Sequence, residues 1–141
     1  MLRLFVLAVA LTVLSPASGQ AAEPTPAPKA AAPLNIGFVL YTRSDTPGVL
    51  KARWNYGNAY SGLGLATGGP ATGGFVGRYH VRYFLESGEF SDEYDLEIQK
   101  HAPGDFYDVT WITDLQVGAR GVGLEVEGGK SRAVGWRRVA D

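Results

Sequence analysis

The chain has 141 residues, no cysteine, and 13 basic against 14 acidic residues, a net charge of −1. That balance argues against a nucleic-acid binder, which shows a basic excess on one face. The missing cysteine excludes disulfides and a lipid-attachment thiol, so stability has to come from burial and strand pairing.

The N-terminus opens with Arg3 and an eleven-residue apolar run, Leu4 to Leu14. A membrane-spanning helix needs ~20 apolar residues, so this run is too short to be one. Pro16 breaks it, and Ala17, Ser18, Gly19, Ala21 and Ala22 offer small-x-small cleavage contexts. Residues 1–22 are therefore read as a secretory signal peptide, which places the mature chain in the periplasm or outside the cell. Residues 23–33, with four prolines among alanines, favour extended polyproline II and are read as a disordered linker. The remaining 108 residues, 34–141, suit one domain with one core.

From Leu34 onward the period is two, broken by Gly, Pro, Asn and Asp. Ile36, Phe38 and Leu40 alternate with Gly37, Val39 and Tyr41, before a turn at Ser44–Gly48. Leu50, Ala52 and Trp54 form the next face, and Tyr56-Gly57-Asn58 provides a hairpin turn. A glycine-rich strand runs from Tyr60 to Ala66, followed by a long loop from Thr67 to Gly77. Tyr79, Val81, Tyr83 and Leu85 share a face opposite His80, Arg82 and Phe84.

Tyr94, Leu96 and Ile98 point inward against Asp95, Glu97 and Gln99, although Ser91-Asp92-Glu93 also resembles a helix N-terminus. Period two buries all three apolar residues, so a strand is expected. Tyr107, Val109 and Trp111 follow, then Val122, Leu124 and Val126, read as inward against Gly123, Glu125 and Glu127. Gly128-Gly129 turns the chain into Val134 and Trp136.

Three hairpin units repeat, led by Leu50-x-Ala-x-Trp54, Tyr79-x-Val-x-Tyr83 and Tyr107-x-Val-x-Trp111. Units this short bury nothing alone, and a meander that closes on itself removes every free edge. The expected fold is all-β, a single antiparallel up-and-down barrel of about eight strands, with a β-sandwich as the alternative.

The charges segregate along the chain. Glu86 to Asp114 holds nine acids and one base, whereas Leu115 to Asp141 holds five bases and three acids. Pairing between neighbouring strands is the expected reason, with a charged docking surface as the other reading.

Trp54-Asn55-x-Gly57-x-x-Tyr60-Ser61-Gly62, Gly104-Asp105-x-Tyr107-x-Val109-x-Trp111, Gly121-Val122-Gly123 and Ala133-Val134-Gly135-Trp136 resemble the signatures of a group of small exported bacterial proteins. These are mostly uncharacterised and sometimes labelled fibronectin-binding proteins. The resemblance spans roughly Leu50 to Trp136 and implies a lipocalin- or avidin-like meander barrel. The chain departs from that pattern in its longer Thr67–Gly77 loop, and it lacks the lipocalin G-x-W because Arg53 precedes Trp54.

No catalytic or metal constellation stands out. His80 and His101 lack metal-ligand spacing, Ser61 is outside a G-x-S-x-G elbow, and Gly68–Gly77 has no G-K-[ST]. Asp92, Glu93, Asp95 and Glu97 lack the calcium-loop pattern. No enzyme activity, cofactor or metal is therefore expected.

The aromatic residues are the stronger lead. Trp54, Tyr79, Tyr83, Tyr107, Trp111 and Trp136 fall on one face, and the simplest expectation is that they fill the core. The opposing expectation is a carrier holding a small apolar ligand at the barrel mouth, with Arg82 or Arg132 at the rim and the Thr67–Gly77 loop as a lid. A filled barrel has no ligand-sized cavity, and a carrier has one. A third reading is a surface module that docks on an envelope or extracellular protein. All three describe a non-catalytic envelope protein, with no nucleic-acid partner and no integral membrane segment.

Overall fold

The computed structural model of the chain describes residues 34–71, 74–101 and 103–139. The expected signal peptide (1–22) and linker (23–33) lie outside the described residues, as do positions 72–73 of the glycine-rich loop.

Eight strands follow in order: β1 (Gly37–Arg43), β2 (Leu50–Tyr56), β3 (Tyr60–Thr67), β4 (Gly77–Leu85), β5 (Phe90–His101), β6 (Phe106–Thr113), β7 (Gln116–Val126) and β8 (Ser131–Arg138). Each pairs antiparallel with the next, and β8 returns to β1 through Gly37↔Trp136 to Thr42↔Ser131. The sheet closes into an up-and-down barrel rather than a sandwich. Closure leaves no strand edge unpaired. The Ser91-Asp92-Glu93 segment lies inside β5, so the alternating pattern prevails over the local capping signal there.

The inward rows form one core. Val39 and Tyr41, Leu50 and Ala52, Tyr79 and Val81, Leu96 and Ile98, and Tyr107 and Val109 are all buried. On β7 the expected face is reversed. Val122 is 66% and Leu124 47% exposed, while Ala119, Gly121, Gly123 and Glu125 share the inward row. The cause is the neighbouring strand. A Cβ on Gly123 would lie 2.9 Å from Val134 Cγ2, and one on Gly121 would lie 2.7 Å from the Gly135 carbonyl. The space inside β7 is already filled by β8, so the glycines face in and the larger apolar residues face out.

The two ends differ because their connections differ. At one end sit the β1–β2 turn, the long β3–β4 loop, and the β5–β6 and β7–β8 connections. That loop turns inward there. Phe75 is fully buried, and its carbonyl accepts a hydrogen bond from Tyr79 Oη at 3.0 Å. The Arg132 guanidinium lies between Phe75 and Tyr107, 4.3 and 4.2 Å from the ring centroids. Arg132 Nη2 donates to Glu125 Oε1 at 2.5 Å and to Tyr107 Oη at 2.9 Å. A guanidinium this buried is tolerated because its charge is paired and its faces are covered by rings.

At the other end the β2–β3, β4–β5 and β6–β7 connections are tight, and Asp114 and Leu115 adopt the positive φ of a two-residue hairpin turn. Among the described residues the barrel is therefore plugged at one end and open at the other.

On the outer wall, β4 and β5 pair their charges. Arg78 meets Glu97 at 3.4 Å, and His80 lies 2.8 Å from Glu93 and 3.4 Å from Asp95. The acids of β5 are thus matched by β4, whose Arg78, His80 and Arg82 lie outside the basic Leu115–Asp141 segment that the charge segregation had set against them. Hydrogen bonds to Glu93 and then Asp95 raise the His80 pKa above its ordinary value. Among the described residues no helix is long and apolar enough to cross a membrane.

Phe75 belongs to a loop by sequence but to the core by burial. Phe75→Ala is expected to cost about 3–5 kcal/mol, the range of core phenylalanine truncations, as a lowered denaturant midpoint with an intact far-ultraviolet spectrum.

Candidate functional site

The open end forms a cup of about 970 Å³. Its construction follows from strand direction. All even-numbered strands run from the plugged end to the open end, so inward rings near the end of each, Trp54, Tyr83, Trp111 and Trp136, gather around the cup. Tyr56 continues the Trp54 row and stacks on Trp136 with centroids 5.1 Å apart. Trp54 meets Tyr83 edge-on at 5.9 Å, and Trp111 lies 6.0 Å from Trp136.

Hydrogen bonds fix the floor of the cup. Trp111 Nε1 donates to Tyr83 Oη at 2.7 Å, and Tyr83 Oη shares a 2.5 Å hydrogen bond with Tyr41 Oη. All three side chains are buried. Burial raises the pKa of Tyr83 far above 10 even though its hydrogen bonds pull the other way. Burial raises Tyr41 as well, with the Tyr83 phenol adding to the effect.

The mouth carries the polar groups. Tyr94 Oη donates to Asp92 Oδ2 at 2.5 Å. Burial raises the Tyr94 pKa, the bond to the Asp92 carboxylate raises it further, and Arg138 opposes both. Arg138 lies over the Tyr56 ring at 4.8 Å and also lines the cup. Tyr60 and Phe90 stand half-exposed on the rim. A ring of aromatic faces with one carboxylate and one guanidinium at its lip suits a flat apolar body that carries a polar end.

The eight residues singled out from sequence divide three ways. Trp54, Tyr83, Trp111 and Trp136 line the cup together. Tyr79, Tyr107 and Arg132 gather at the plugged end around Phe75, so they line a packed core instead of the cup. Arg82 points outward, over Phe84 and Phe90 and toward Glu93. The expected lid is also corrected. The Thr67–Gly77 loop closes the end opposite the cup, because β3 and β4 meet there.

Sequence reasoning missed Tyr56, Asp92, Tyr94 and Arg138 as site residues. Parity was the available signal, since Tyr56 follows Trp54 by two, Asp92 precedes Tyr94 by two and Arg138 follows Trp136 by two. Among the described residues no group of three His, Asp or Glu is arranged to hold a metal ion. Comparison with protein-family models, with curated proteins and with solved structures gives no match.

Two outcomes follow from the floor of the cup. Tyr83→Phe leaves Trp111 Nε1 and Tyr41 Oη without their partner, and should lower stability by about 1–3 kcal/mol in chemical denaturation. The raised tyrosine pKa values also give stability an alkaline limit. The folded state keeps these phenols neutral, so their contribution is complete below the ordinary value of 10 and is lost as pH climbs toward the raised values. An ultraviolet titration should show these three tyrosines ionising only as the protein unfolds. Their ionisation in the folded state near pH 10 would contradict the buried network.

Proposed function

We propose that this chain is an exported, non-catalytic binding protein that holds a small apolar or aromatic ligand in the open cup. The observation that carries this reading is the cup itself. A barrel plugged at one end keeps a ligand-sized space at the other, walled by aromatic residues and tipped with Asp92 and Arg138. Small-molecule sites have this character, a mostly apolar concavity with a few placed polar groups. A ligand that suits it has a flat body to lie among Trp54, Trp111 and Trp136. Its polar end would reach the mouth, where Asp92 accepts a hydrogen bond or a positive charge and Arg138 donates to an oxygen. The signal-peptide pattern at residues 1–22 supports a periplasmic or extracellular home for such a carrier.

The three tryptophans of the chain all line the cup, so intrinsic fluorescence reports on it directly. Titration of the purified protein against a panel of small aromatic and amphiphilic compounds should give a saturable intensity change and spectral shift. Trp136→Ala is expected to weaken binding at least about tenfold, the loss of one stacking wall. Asp92→Asn should weaken chiefly those compounds that carry a cationic end. Arg78→Ala, on the outer wall, should change nothing. A flat response across the panel would remove the carrier reading.

A further inference from the structure

Resting on the carrier reading above, we propose that the cup selects an aromatic ligand whose polar end is a zwitterion. Such an end carries an ammonium and a carboxylate together, as in an aromatic α-amino acid. Among the described residues that line the cup, Asp92 and Arg138 alone are charged. Among the described residues they make no ion pair with each other. The neighbouring charges are directed elsewhere. Arg137 and its cross-strand partner Arg120 lie on the outer face, and Glu93 meets His80 and Arg82 there. Glu86 accepts from Ser61 Oγ at 3.1 Å, and Glu89 and Asp114 sit in exposed connections.

Tyr94 gathers the two charges on one side of the mouth. Its ring lies against β7, where a Cβ on Gly118 would be 3.8 Å from Tyr94 Cε1. Gly118 precedes Ala119, the register partner of Arg138, and its carbonyl accepts from the Val139 backbone nitrogen at 3.0 Å. The ring therefore reaches from Asp92 on β5 toward Arg138 on β8. Its hydroxyl takes Oδ2 of Asp92 and leaves Oδ1 to accept from a ligand. Arg138 is held from behind, since Asn35 bonds both its backbone nitrogen and its carbonyl. Its guanidinium lies with one face over Tyr56, so the in-plane N–H groups stay available to a carboxylate. On the other side of the mouth, Trp54 of β2, Tyr60 of β3 and Leu85 of β4 line the cup without charge.

This balance sets the ligand class. A neutral ligand takes water from both charges and pairs neither. A purely cationic one pairs Asp92 but is repelled by Arg138, and a purely anionic one meets the reverse. A zwitterion pairs both, its ammonium donating to Asp92 and its carboxylate accepting from Arg138. Discrimination then comes as much from the charge a wrong ligand leaves unpaired as from the one it engages. The aromatic body lies below, among the tryptophans, and the one-sided polar arc fixes which way the head turns.

Isothermal titration calorimetry of the purified chain tests this with compounds that share one indole body: L-tryptophan, tryptamine, indole-3-propionate and 3-methylindole. L-Tryptophan should bind at least about fivefold more tightly than each of the others, a modest factor because the mouth is partly exposed. Asp92→Asn should abolish its advantage over indole-3-propionate, and Arg138→Gln its advantage over tryptamine. Neither substitution should weaken 3-methylindole, which engages neither charge. Equal binding of L-tryptophan and 3-methylindole would overturn the zwitterion selection and leave the carrier reading standing. An L-tryptophan advantage that survives both substitutions would overturn it in the same way. No binding by any of these compounds overturns it too, and the wider aromatic panel then decides the carrier reading by itself.

Discussion

Space inside an eight-stranded barrel is limited, and this chain fills it by setting large rings against very small residues across five of its eight strand pairs. Trp54 stands opposite Gly62, Tyr83 opposite Gly64, Trp111 opposite Ala119 and Trp136 opposite both Gly37 and Gly121. The fit is close. A Cβ on Gly37 would lie 2.2 Å from the Trp136 ring, and one on Gly64 would lie 2.7 Å from Tyr83. The rings occupy even strands and the small residues mostly occupy odd ones, so bulk is distributed evenly around the wall. Tyr41 on β1 and Tyr94 on β5 are the large exceptions; Tyr41 lies in the floor, and Tyr94 sits higher, at the mouth beside Asp92.

The same rule separates the two ends. Near the plugged end the rings of Tyr79 and Tyr107 are joined by Phe75 and the Arg132 guanidinium, and together they fill the section. At the open end the connections among the described residues are tight turns, and none of these folds inward to complete the filling. The cup is what remains when the wall is lined but the centre is not supplied with a plug. Its rigidity comes from below, where Tyr41, Tyr83 and Trp111 share their hydrogen bonds in a buried site.

Strand number, order and closure were legible in the sequence because alternation is a local signal. Tyr94, Leu96 and Ile98 against Asp95, Glu97 and Gln99 determine a face without reference to any other strand. The face of β7 was not legible in that way. Val122 and Leu124 look like core residues until Val134 and Trp136 are known to fill the opposite side, and that knowledge lies in the pairing with β8. The site was half legible for a related reason. Parity places Tyr79, Tyr83, Tyr107 and Trp111 inside, but only the height of each along the barrel assigns Tyr83 and Trp111 to the cup and Tyr79 and Tyr107 to the plug. Height depends on strand stagger, which no single strand encodes. Phe75 was hidden because a glycine-rich loop carries no periodicity to mark one residue as buried.

Asn35 has a role out of proportion to its size. Its Oδ1 accepts from the Arg138 backbone nitrogen at 2.7 Å and from Tyr56 Oη at 3.2 Å, and its Nδ2 donates to the Arg138 carbonyl at 2.9 Å. One amide side chain thus clasps the beginning of the barrel to its end, beside the β1–β8 seam. With that seam hydrogen-bonded like every other, the barrel is a continuous hoop, and the place where the polypeptide enters it is a matter of chain bookkeeping. A permuted chain, with the residues near Asn35 and Arg138 joined by a short linker and new termini cut at the exposed Asp114–Leu115 turn, would trace the same hoop from a different starting point.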